Sequence, residues 1–369
     1  MMNFDFSKSK CDLYFDEKKK DEGKYFFCGD LLPAFRTNNI AIVFETSELY
    51  APYLDPAIRS IVETSQNNYN YDIIVLSHEI EAFDILRLRD IVNRNPNFSI
   101  RFFDPHDIVK RYMVNAKRKY LEINYYRMAL PWILPNYDKV INLGSDLILL
   151  KDLHFLFDIN IEDYCIGGCK DLGWQGRLKI DIPQSELDLK YPYSYINADV
   201  LLFNLKKIRN EYSIDQLLLY WQKKQLRCSE QDALNKIFDG NILNIDLRWN
   251  IFPDRMTSEY HISYANDEDI DIWKEGLKSP YIVHFAAVPK AWNFPDVGFG
   301  DLWWKYARKS LYYEEFIRRM CITETLNSIN SKKNSRKIKN RVKSIGNKLF
   351  PKGSRRRIFI KKYILRKKG

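Results

Sequence analysis

The sequence predicts an α/β fold with a mixed, mostly parallel sheet and helices on both faces. Short apolar runs that suit buried strands occur at Asn39–Glu45, Tyr71–Ser77 and Phe98–Asp104. A segment with helical spacing of apolar residues lies between each pair of runs, at Tyr53–Ser65 and Glu81–Arg94. Strands that alternate with helices at this spacing are typical of a parallel, Rossmann-like sheet.

The next predicted strand carries a charged residue at its carboxyl end. A helix over Glu122–Pro135 precedes the apolar run Asp138–Leu143, which is followed by Gly144 and Asp146. An ionised carboxylate between apolar runs is costly unless it is paired, hydrogen-bonded or bound to a metal. Ligands bind beyond the carboxyl ends of such strands, so Asp146 is a candidate binding residue. An aspartate that only caps a turn is the alternative.

The second half of the chain is less regular. A strand that runs into a helix is predicted over Tyr195–Arg209, a helix over Ser229–Phe238, and a strand that ends on His284. We expect three parts: an irregular N-terminal extension (residues 1–37), one α/β domain (38–310) and a helical, basic C-terminal tail (311–369).

The positive charge of the chain is concentrated near its end. Residues 332–369 contain 17 Lys and Arg and no Asp or Glu. Because the whole chain carries +10 and this segment +17, residues 1–331 carry a net −7. A basic segment interleaved with apolar residues suits an anionic membrane surface. A solvated tail and a nucleic-acid-binding tail are alternatives, and the acidic body argues against nucleic acid as a partner.

Cysteine usage and hydropathy indicate a cytoplasmic protein, and the basic segment places it on the inner face of the cell membrane. No apolar run approaches the length of a membrane span, and the charged N-terminus lacks the apolar segment of a signal peptide. Six scattered cysteines fit reduced thiols. Cys165 and Cys169 could pair on a metal, but no second Cys or His pair at zinc-like spacing accompanies them.

Five segments, in order, resemble glycosyltransferase family 8, which includes bacterial lipopolysaccharide galactosyl- and glucosyltransferases and, more distantly, glycogenin. The resemblance covers roughly Asn38–Trp304 and implies a single domain of the GT-A fold. The matching segments are "IVFETSELY", "YYRMALPWILP", "KVINLGSDLIL", "YINADVLLFNLKKIR" with "SEQDALN", and "VHFAAVPKAW".

The resemblance implies a site for a nucleotide-sugar and a divalent cation, Mn²⁺ or Mg²⁺. Asp146 corresponds to the second carboxylate of the family's D-x-D pair, and His284 to its distal metal ligand. Lys290 corresponds to the lysine on the diphosphate, Arg127 to the arginine on the donor sugar, and Tyr50 to the ring on the base. His284 could instead be a buried structural histidine.

The same resemblance implies the residues around the sugar. Gln231 and Asp232 lie where the family has polar groups on the sugar face opposite the leaving group, and Asn197 lies near donor and acceptor. Glu45, at the end of the first strand, is placed with the donor-binding residues. The implied reaction is retaining transfer of glucose or galactose, from a UDP donor, to a surface glycan or lipid-linked acceptor. The alternative for Gln231 is that Ser229 and its neighbours merely begin a capped helix.

This chain departs from the family pattern at the metal site. Gly144 occupies the position of the first D-x-D carboxylate. Conversely, Asp199 stands where the family has a small residue, so it could supply a substitute carboxylate. Three alternatives follow: a metal site rebuilt with Asp199 or Asn142, transfer with weak or no metal, or a non-catalytic homologue that binds sugars.

The base-binding segment departs as well. Ser47 and Leu49 replace an acidic residue and an asparagine of the family, so a nucleotide other than UDP is an alternative.

Overall fold

The computed structural model describes residues 31–113, 122–180, 187–223, 226, 228–253, 262–286 and 289–325. The chain divides into two compact units, Met1–Tyr313 and Glu314–Gly369. Residues 314–325, the described part of the second unit, are helical. The predicted N-terminal extension lies almost entirely outside the described residues, and the basic segment 332–369 lies wholly outside them. No helix among the described residues is long and apolar enough to cross a membrane.

The first unit contains nine described strands and eleven described α-helices. The strands are β1 (Asn39–Glu45), β2 (Asn70–Leu76), β3 (Phe98–Phe103), β4 (Lys139–Leu143), β5 (Leu147–Leu149), β6 (Ile166–Lys170), β7 (Ile196–Asn204), β8 (Ile242–Asn244) and β9 (Ile282–His284). The helices are α1 (Leu54–Thr64), α2 (Ala82–Val92), α3 (His106–Val109), α4 (Glu122–Ile133), α5 (His154–Phe157), α6 (Leu172–Ile180), α7 (Leu205–Glu211), α8 (Ile214–Lys223), α9 (Ser229–Ile237), α10 (Asp267–Lys278) and α11 (Gly300–Ala307).

Seven strands form the main sheet, in the order β3-β2-β1-β4-β7-β6-β8. The first four strands of this order are parallel, as predicted. β7 runs antiparallel to both β4 and β6, while β6 and β8 are parallel. The predicted mixed, mostly parallel α/β architecture is therefore confirmed. Because β7 is reversed, its amino-terminal end lies beside the carboxyl end of β4 and opens onto the same edge of the sheet.

The central strands are buried on both faces, which explains why they read as continuous apolar runs. Ile40, Ile42, Val43 and Phe44 of β1 are each at most 1% exposed. Burying a side chain of this size stabilises the fold by about 1.5–3 kcal/mol. These four residues therefore hold the centre of the sheet, and the polar residues that follow β1 and β4 are confined to its edge.

A second, two-stranded sheet joins β5 to β9. The pairing is antiparallel, with Leu147 opposite His284. The backbone N–H of Phe285 also donates to the carbonyl of Asp146 at 2.9 Å. This short pairing brings two residues that are distant in sequence, Asp146 and His284, to one point at the carboxyl end of β4.

Candidate functional site

The candidate site lies where the carboxyl ends of β1 and β4 meet the amino-terminal end of β7. Leu143 pairs with Val200 across the antiparallel strands. The N–H of Gly144 then donates to the carbonyl of Asp199 at 2.8 Å, so these two residues are direct neighbours. Asp146 follows after one residue and turns towards the same space.

Asp146, Asp199 and His284 form a cluster in that space. Nε2 of His284 lies 3.4 Å from Oδ1 of Asp146 and 3.5 Å from Oδ2 of Asp199. His284 is 0% exposed, and its Nε2 has no hydrogen-bond partner in the described part of the chain. The structure thus brings Asp146 and His284 together, as the sequence predicted.

The chemistry of this donor set fits a divalent cation. One ligand atom from each of Asp146, Asp199 and His284 lies within 4.8 Å of the other two. Carboxylate oxygens with one imidazole suit Mn²⁺ or Mg²⁺. A buried imidazole nitrogen without a partner is costly, and coordination of an ion would satisfy it. Asn142, the alternative substitute ligand, donates its amide to Glu45 Oε1 at 2.7 Å, and its buried Oδ1 accepts no hydrogen bond within the described ranges.

The side chain of Asp199 fills the space beside Gly144. A Cβ atom added at Gly144 would lie 3.1 Å from Cβ of Asp199, 3.2 Å from its Oδ1, and 3.1 Å from Oδ1 of Asp146. Contacts this short require one of the neighbours to move. The carboxylate that the family carries at position 144 is thus absent, and a carboxylate from β7 occupies the adjoining volume.

Lys290 lies against the same cluster and forms an ion pair with Asp146. Burial raises the pKa of the Asp146 carboxyl, but Lys290 and His284 outweigh burial and hold the pKa well below its usual value. Asp146 is therefore ionised at neutral pH and carries the charge that a cation needs.

Arg127, on α4, is the hub of a second charge cluster. Its guanidinium lies 3.4 Å from Glu45 Oε2, 3.3 Å from Asp199 Oδ1 and 3.4 Å from Glu230 Oε1. Burial disfavours the charged form, but the three carboxylates outweigh burial and raise the pKa of Arg127 above its ordinary value. Asp199 thus has one oxygen near Arg127 and the other near His284.

Asn197, at the amino-terminal end of β7, lies next to Gln231 of α9. The amide of Asn197 donates to Oε1 of Gln231 at 3.1 Å. Asp232 is directed elsewhere: it is 1% exposed, accepts from the hydroxyl of Tyr195 at 2.6 Å, and accepts from the N–H of Cys228 at 2.8 Å. The second contact ties Asp232 to the start of α9.

An aromatic wall lies beyond the charged groups. Tyr50 is 44% exposed, and its ring centre lies 5.7 Å from that of Tyr53. Tyr53 stacks on Trp292 at 4.2 Å, and Nζ of Lys290 lies 5.5 Å from the centre of the Trp292 ring. An exposed tyrosine supported by stacked rings offers a flat apolar surface for a base.

Two polar residues near the site escaped prediction from the sequence. Asp171 accepts from Nε2 of Gln231 at 3.0 Å, and Asn250 contacts Nδ1 of His284 at 2.8 Å. Asp171 follows β6 and could have been found as a polar residue after a buried strand. Asn250 ends a short 3₁₀ helix, Leu247–Asn250, where no periodic pattern marks it.

A second group of possible ligands lies near the ends of β2 and β3. It consists of His78, His106 and Glu122. The two imidazole rings stack at 4.0 Å with 16° between their planes. The lone pairs of ring nitrogens lie in the ring planes, so those of two stacked rings are nearly parallel and do not converge on one point. The arrangement therefore does not favour binding of a single metal ion by both histidines.

The cysteine pair considered as a metal site is buried in the sheet. Cys165 precedes β6 and Cys169 lies within it, and both are free thiols. Burial raises the pKa of the Cys165 thiol to about 12. Neither belongs to any ligand cluster in the described ranges. Both thiols are therefore core residues.

Glu45 makes stability depend on pH. Burial raises its pKa from 4.5 to about 7, although Arg127 and Asn142 lower it. A raised folded-state pKa favours the protonated form, so the stabilisation is full below pH 4.5 and is lost as pH rises through 7. Between pH 5 and pH 8 we expect ionisation of Glu45 to lower the free energy of unfolding by about 3 kcal/mol. Glu45→Gln should abolish that loss in urea unfolding curves.

The exposed carboxylate of Glu48 provides the matched control, and Glu48→Gln should leave the pH profile of the wild type unchanged. A Glu45→Gln profile that still falls as steeply as that of the wild type would contradict the assignment.

Comparison with known proteins agrees with the geometry. The family described as Glycosyl transferase family 8 matches residues 41–295. A putative glycosyltransferase of Haemophilus influenzae is 27% identical over 263 residues, which cover 68% of this chain and 72% of the relative. The glycosyltransferase GlyF of Streptococcus pneumoniae is 25% identical over 273 residues, 72% of this chain and 61% of GlyF.

Solved structures share the fold. The bifunctional glycosyltransferase WbbM superposes with a TM-score of 0.74 at 24% identity, covering 81% of this chain and 54% of WbbM. The galactosyltransferase LgtC, solved with donor and acceptor sugar analogues, gives 0.60 at 22% identity and covers 74% of this chain and 96% of LgtC. This chain therefore spans little more than half of WbbM, and about three fifths of GlyF. With the family match extending over more than half of its length, the chain belongs to glycosyltransferase family 8, whose members are transferases with the GT-A fold.

Proposed function

We propose that this protein is a retaining glycosyltransferase that moves a hexose, glucose or galactose, from a UDP-sugar to a cell-surface glycan or lipopolysaccharide acceptor. The observation that carries the proposal is the cluster of Asp146, Asp199 and His284, in which the buried Nε2 atom of His284 has no hydrogen-bond partner among the described residues. The cluster opens beside the amides of Gln231 and Asn197, so a cation and a sugar would be adjacent. LgtC, which shares this fold, was solved with donor and acceptor sugar analogues.

Asp146, Asp199 and His284 would hold Mn²⁺ or Mg²⁺. Such an ion, when bound, neutralises the diphosphate leaving group as the glycosidic bond breaks. Lys290 would add a positive charge on the same phosphates. Its ammonium group already lies in the cluster, paired with Asp146. Tyr50, exposed and supported by Tyr53, would stack on the nucleotide base.

The groups on the sugar side are held in place by the protein. Arg127 would contact sugar hydroxyls, and its three carboxylate neighbours keep it charged and fixed. Gln231 presents an amide that could stabilise oxocarbenium-like charge on the face opposite the leaving group. Asp232 is engaged with Tyr195 and Cys228, so its role would be to hold α9 and therefore Gln231.

The basic segment 332–369 would bring the enzyme to its acceptor. Anionic lipid attracts each Lys or Arg near its surface by about 1 kcal/mol, and this segment has 17 of them. A lipid-linked or lipopolysaccharide acceptor lies on the same surface. We therefore propose a cytoplasmic protein bound to the inner face of the membrane.

A donor screen tests the function. We expect UDP release from UDP-glucose or UDP-galactose in the presence of Mn²⁺, and little release after removal of the metal with EDTA. His284→Ala should lower the rate at least about 100-fold, because it removes a ligand outright. His154→Gln is the matched control, since His154 is also buried but lies on α5, stacked on Tyr69 at the opposite edge of the sheet.

Failure of the folded wild-type protein to cleave any nucleotide-sugar, with or without Mn²⁺, would overturn transfer and favour a non-catalytic homologue. Cleavage of a donor with another base would overturn only the choice of UDP.

A further inference from the structure

We propose that Asn250 is a positioning residue for His284, and that a directed chain of side-chain amides decides which ring nitrogen of His284 faces the two carboxylates. The proposal rests on the cation site proposed above and names a residue that neither the sequence pattern nor the cluster itself includes. The chain runs from Asp171 through Gln231, Asn197 and Asn250 to His284.

The orientation of the Gln231 amide is fixed by neighbours that can act only as a donor or only as an acceptor. A backbone N–H can only donate, and a carboxylate only accepts. Oε1 of Gln231 accepts from the N–H of Ala198 at 3.0 Å. Its Nε2 donates to Oδ2 of Asp171 at 3.0 Å. The Gln231 amide therefore has one orientation that satisfies both ends.

The second amide is constrained in the same way. Oδ1 of Asn197 accepts from the N–H of Asp199 at 3.0 Å, and its Nδ2 donates to Oε1 of Gln231 at 3.1 Å. A flipped Asn197 would place two donors against each other at the backbone and two acceptors against each other at Gln231. Asn197 is 6% exposed, so water cannot easily relieve such a conflict.

The third amide, that of Asn250, takes its orientation from Asn197 and so determines which ring nitrogen of His284 carries the proton. Nδ2 of Asn250 donates to Oδ1 of Asn197 at 2.9 Å, which leaves Oδ1 of Asn250 facing Nδ1 of His284 at 2.8 Å. That oxygen carries no hydrogen, so Nδ1 of His284 must be the donor. A neutral His284 ring then has its lone pair on Nε2.

This tautomer is the opposite of the one that its other neighbours would select. Nε2 faces Asp146 at 3.4 Å and Asp199 at 3.5 Å. Two carboxylates favour a proton on the nitrogen that faces them, whereas a cation needs the lone pair there. The chain of amides therefore keeps the lone pair on Nε2, where a cation needs it, although the two carboxylates alone would favour a proton there.

The backbone around Asn250 is anchored firmly enough for this role. The N–H of Ile251 donates to the carbonyl of Ile282 at 2.9 Å, and the N–H of His284 donates to the carbonyl of Ile251 at 2.8 Å. Asn250 is 6% exposed. It is thus attached by the neighbouring residue to β9, the strand that carries His284, and keeps its distance to the ring.

Nitrogen-15 NMR of the cation-free protein measures the tautomer directly. The chain has five histidines, and the signal missing from His284→Gln identifies the ring. At the alkaline end of its titration we expect Nδ1–H in the wild type and Nε2–H in Asn250→Leu. Asn250→Asp retains an acceptor for Nδ1, so it should restore Nδ1–H. Asn244→Leu is the matched control, because Asn244 donates to the carbonyl of Ser194 and lies outside the chain of amides.

Mn²⁺ binding, followed by electron paramagnetic resonance of the free ion, supplies the second measurement. We expect Asn250→Leu to weaken binding about 10- to 100-fold, as removal of a ligand's outer partner does, and Asn244→Leu to leave it unchanged. Nε2–H in the neutral wild-type ring would overturn the proposal, as would an unchanged tautomer or unchanged Mn²⁺ affinity in Asn250→Leu. A wild type with Nδ1–H that binds no Mn²⁺ would instead overturn the cation site.

Discussion

The exchange Gly144→Asp with Asp199→Gly is expected to restore Mn²⁺ binding and donor cleavage that each single change removes. Asp199→Gly alone leaves one carboxylate and one imidazole in the cluster, and it also removes a counter-ion of Arg127. Loss of a ligand should weaken Mn²⁺ binding by more than the 10- to 100-fold that is typical of outer partners.

We expect Gly144→Asp alone to lose Mn²⁺ binding, because the new side chain would clash with its neighbours. Its Cβ would lie 3.1 Å from Cβ of Asp199 and 3.1 Å from Oδ1 of Asp146. Overpacking of this kind costs about 1–3 kcal/mol, and three carboxylates would then share one small volume. The backbone at Gly144 does not add to the cost, since Gly240 is the only glycine with a positive φ in the described ranges. In the double variant the space vacated at position 199 receives the new side chain.

The comparison is made on four proteins: the wild type, both single variants and the double variant. Asp199→Asn with Gly144→Asp is the matched control, because asparagine keeps the Cβ atom that causes the clash and should prevent rescue. A double variant no better than Asp199→Gly would show that Asp199 does not replace the carboxylate missing at position 144.

Arg127→Met is expected to destabilise the protein by about 3–5 kcal/mol at pH 8, the cost of leaving buried charges without their partner. Glu45 and Glu230 both lie against the guanidinium, with side chains 2% and 15% exposed. The loss should be smaller at pH 6. Burial raises the pKa of Glu45 to about 7 even beside Arg127, so at pH 6 the carboxyl is mostly protonated in both proteins and no charge on Glu45 is left unpaired.

Urea unfolding at both pH values measures this effect. Arg127→Met with Glu45→Gln should recover part of the stability at pH 8, because one of the unpaired charges is gone. Arg248→Met is the control: Arg248 pairs with Asp246 at the surface, where such pairs contribute at most about 1 kcal/mol. Equal destabilisation by Arg127→Met and Arg248→Met would refute the buried charge cluster.

The parts of the site that could be predicted are those that interrupt an apolar run. Asp146 and His284 both follow buried strands, and hydrophobic burial marks such strands strongly in a sequence. Their proximity could be inferred because the carboxyl ends of strands meet at one edge. The structure confirms these elements within one to three residues at their ends.

The contact between Gly144 and Asp199 could be anticipated only through resemblance to a family. It depends on the reversed direction of β7, and an apolar strand reads the same in either direction. Asn250 was missed for a different reason. Its role follows from hydrogen-bond direction among side chains drawn from five separate segments, and no local pattern records which oxygen faces which donor.

The ion pair between Lys290 and Asp146 implies an order of events. Lys290 pairs with one oxygen of the carboxylate that we propose as a cation ligand. A divalent cation bound as proposed would have to displace Lys290 from Asp146, and the released ammonium group would then be available for the diphosphate of the donor. The proposal therefore implies ordered binding, with the metal before the nucleotide-sugar.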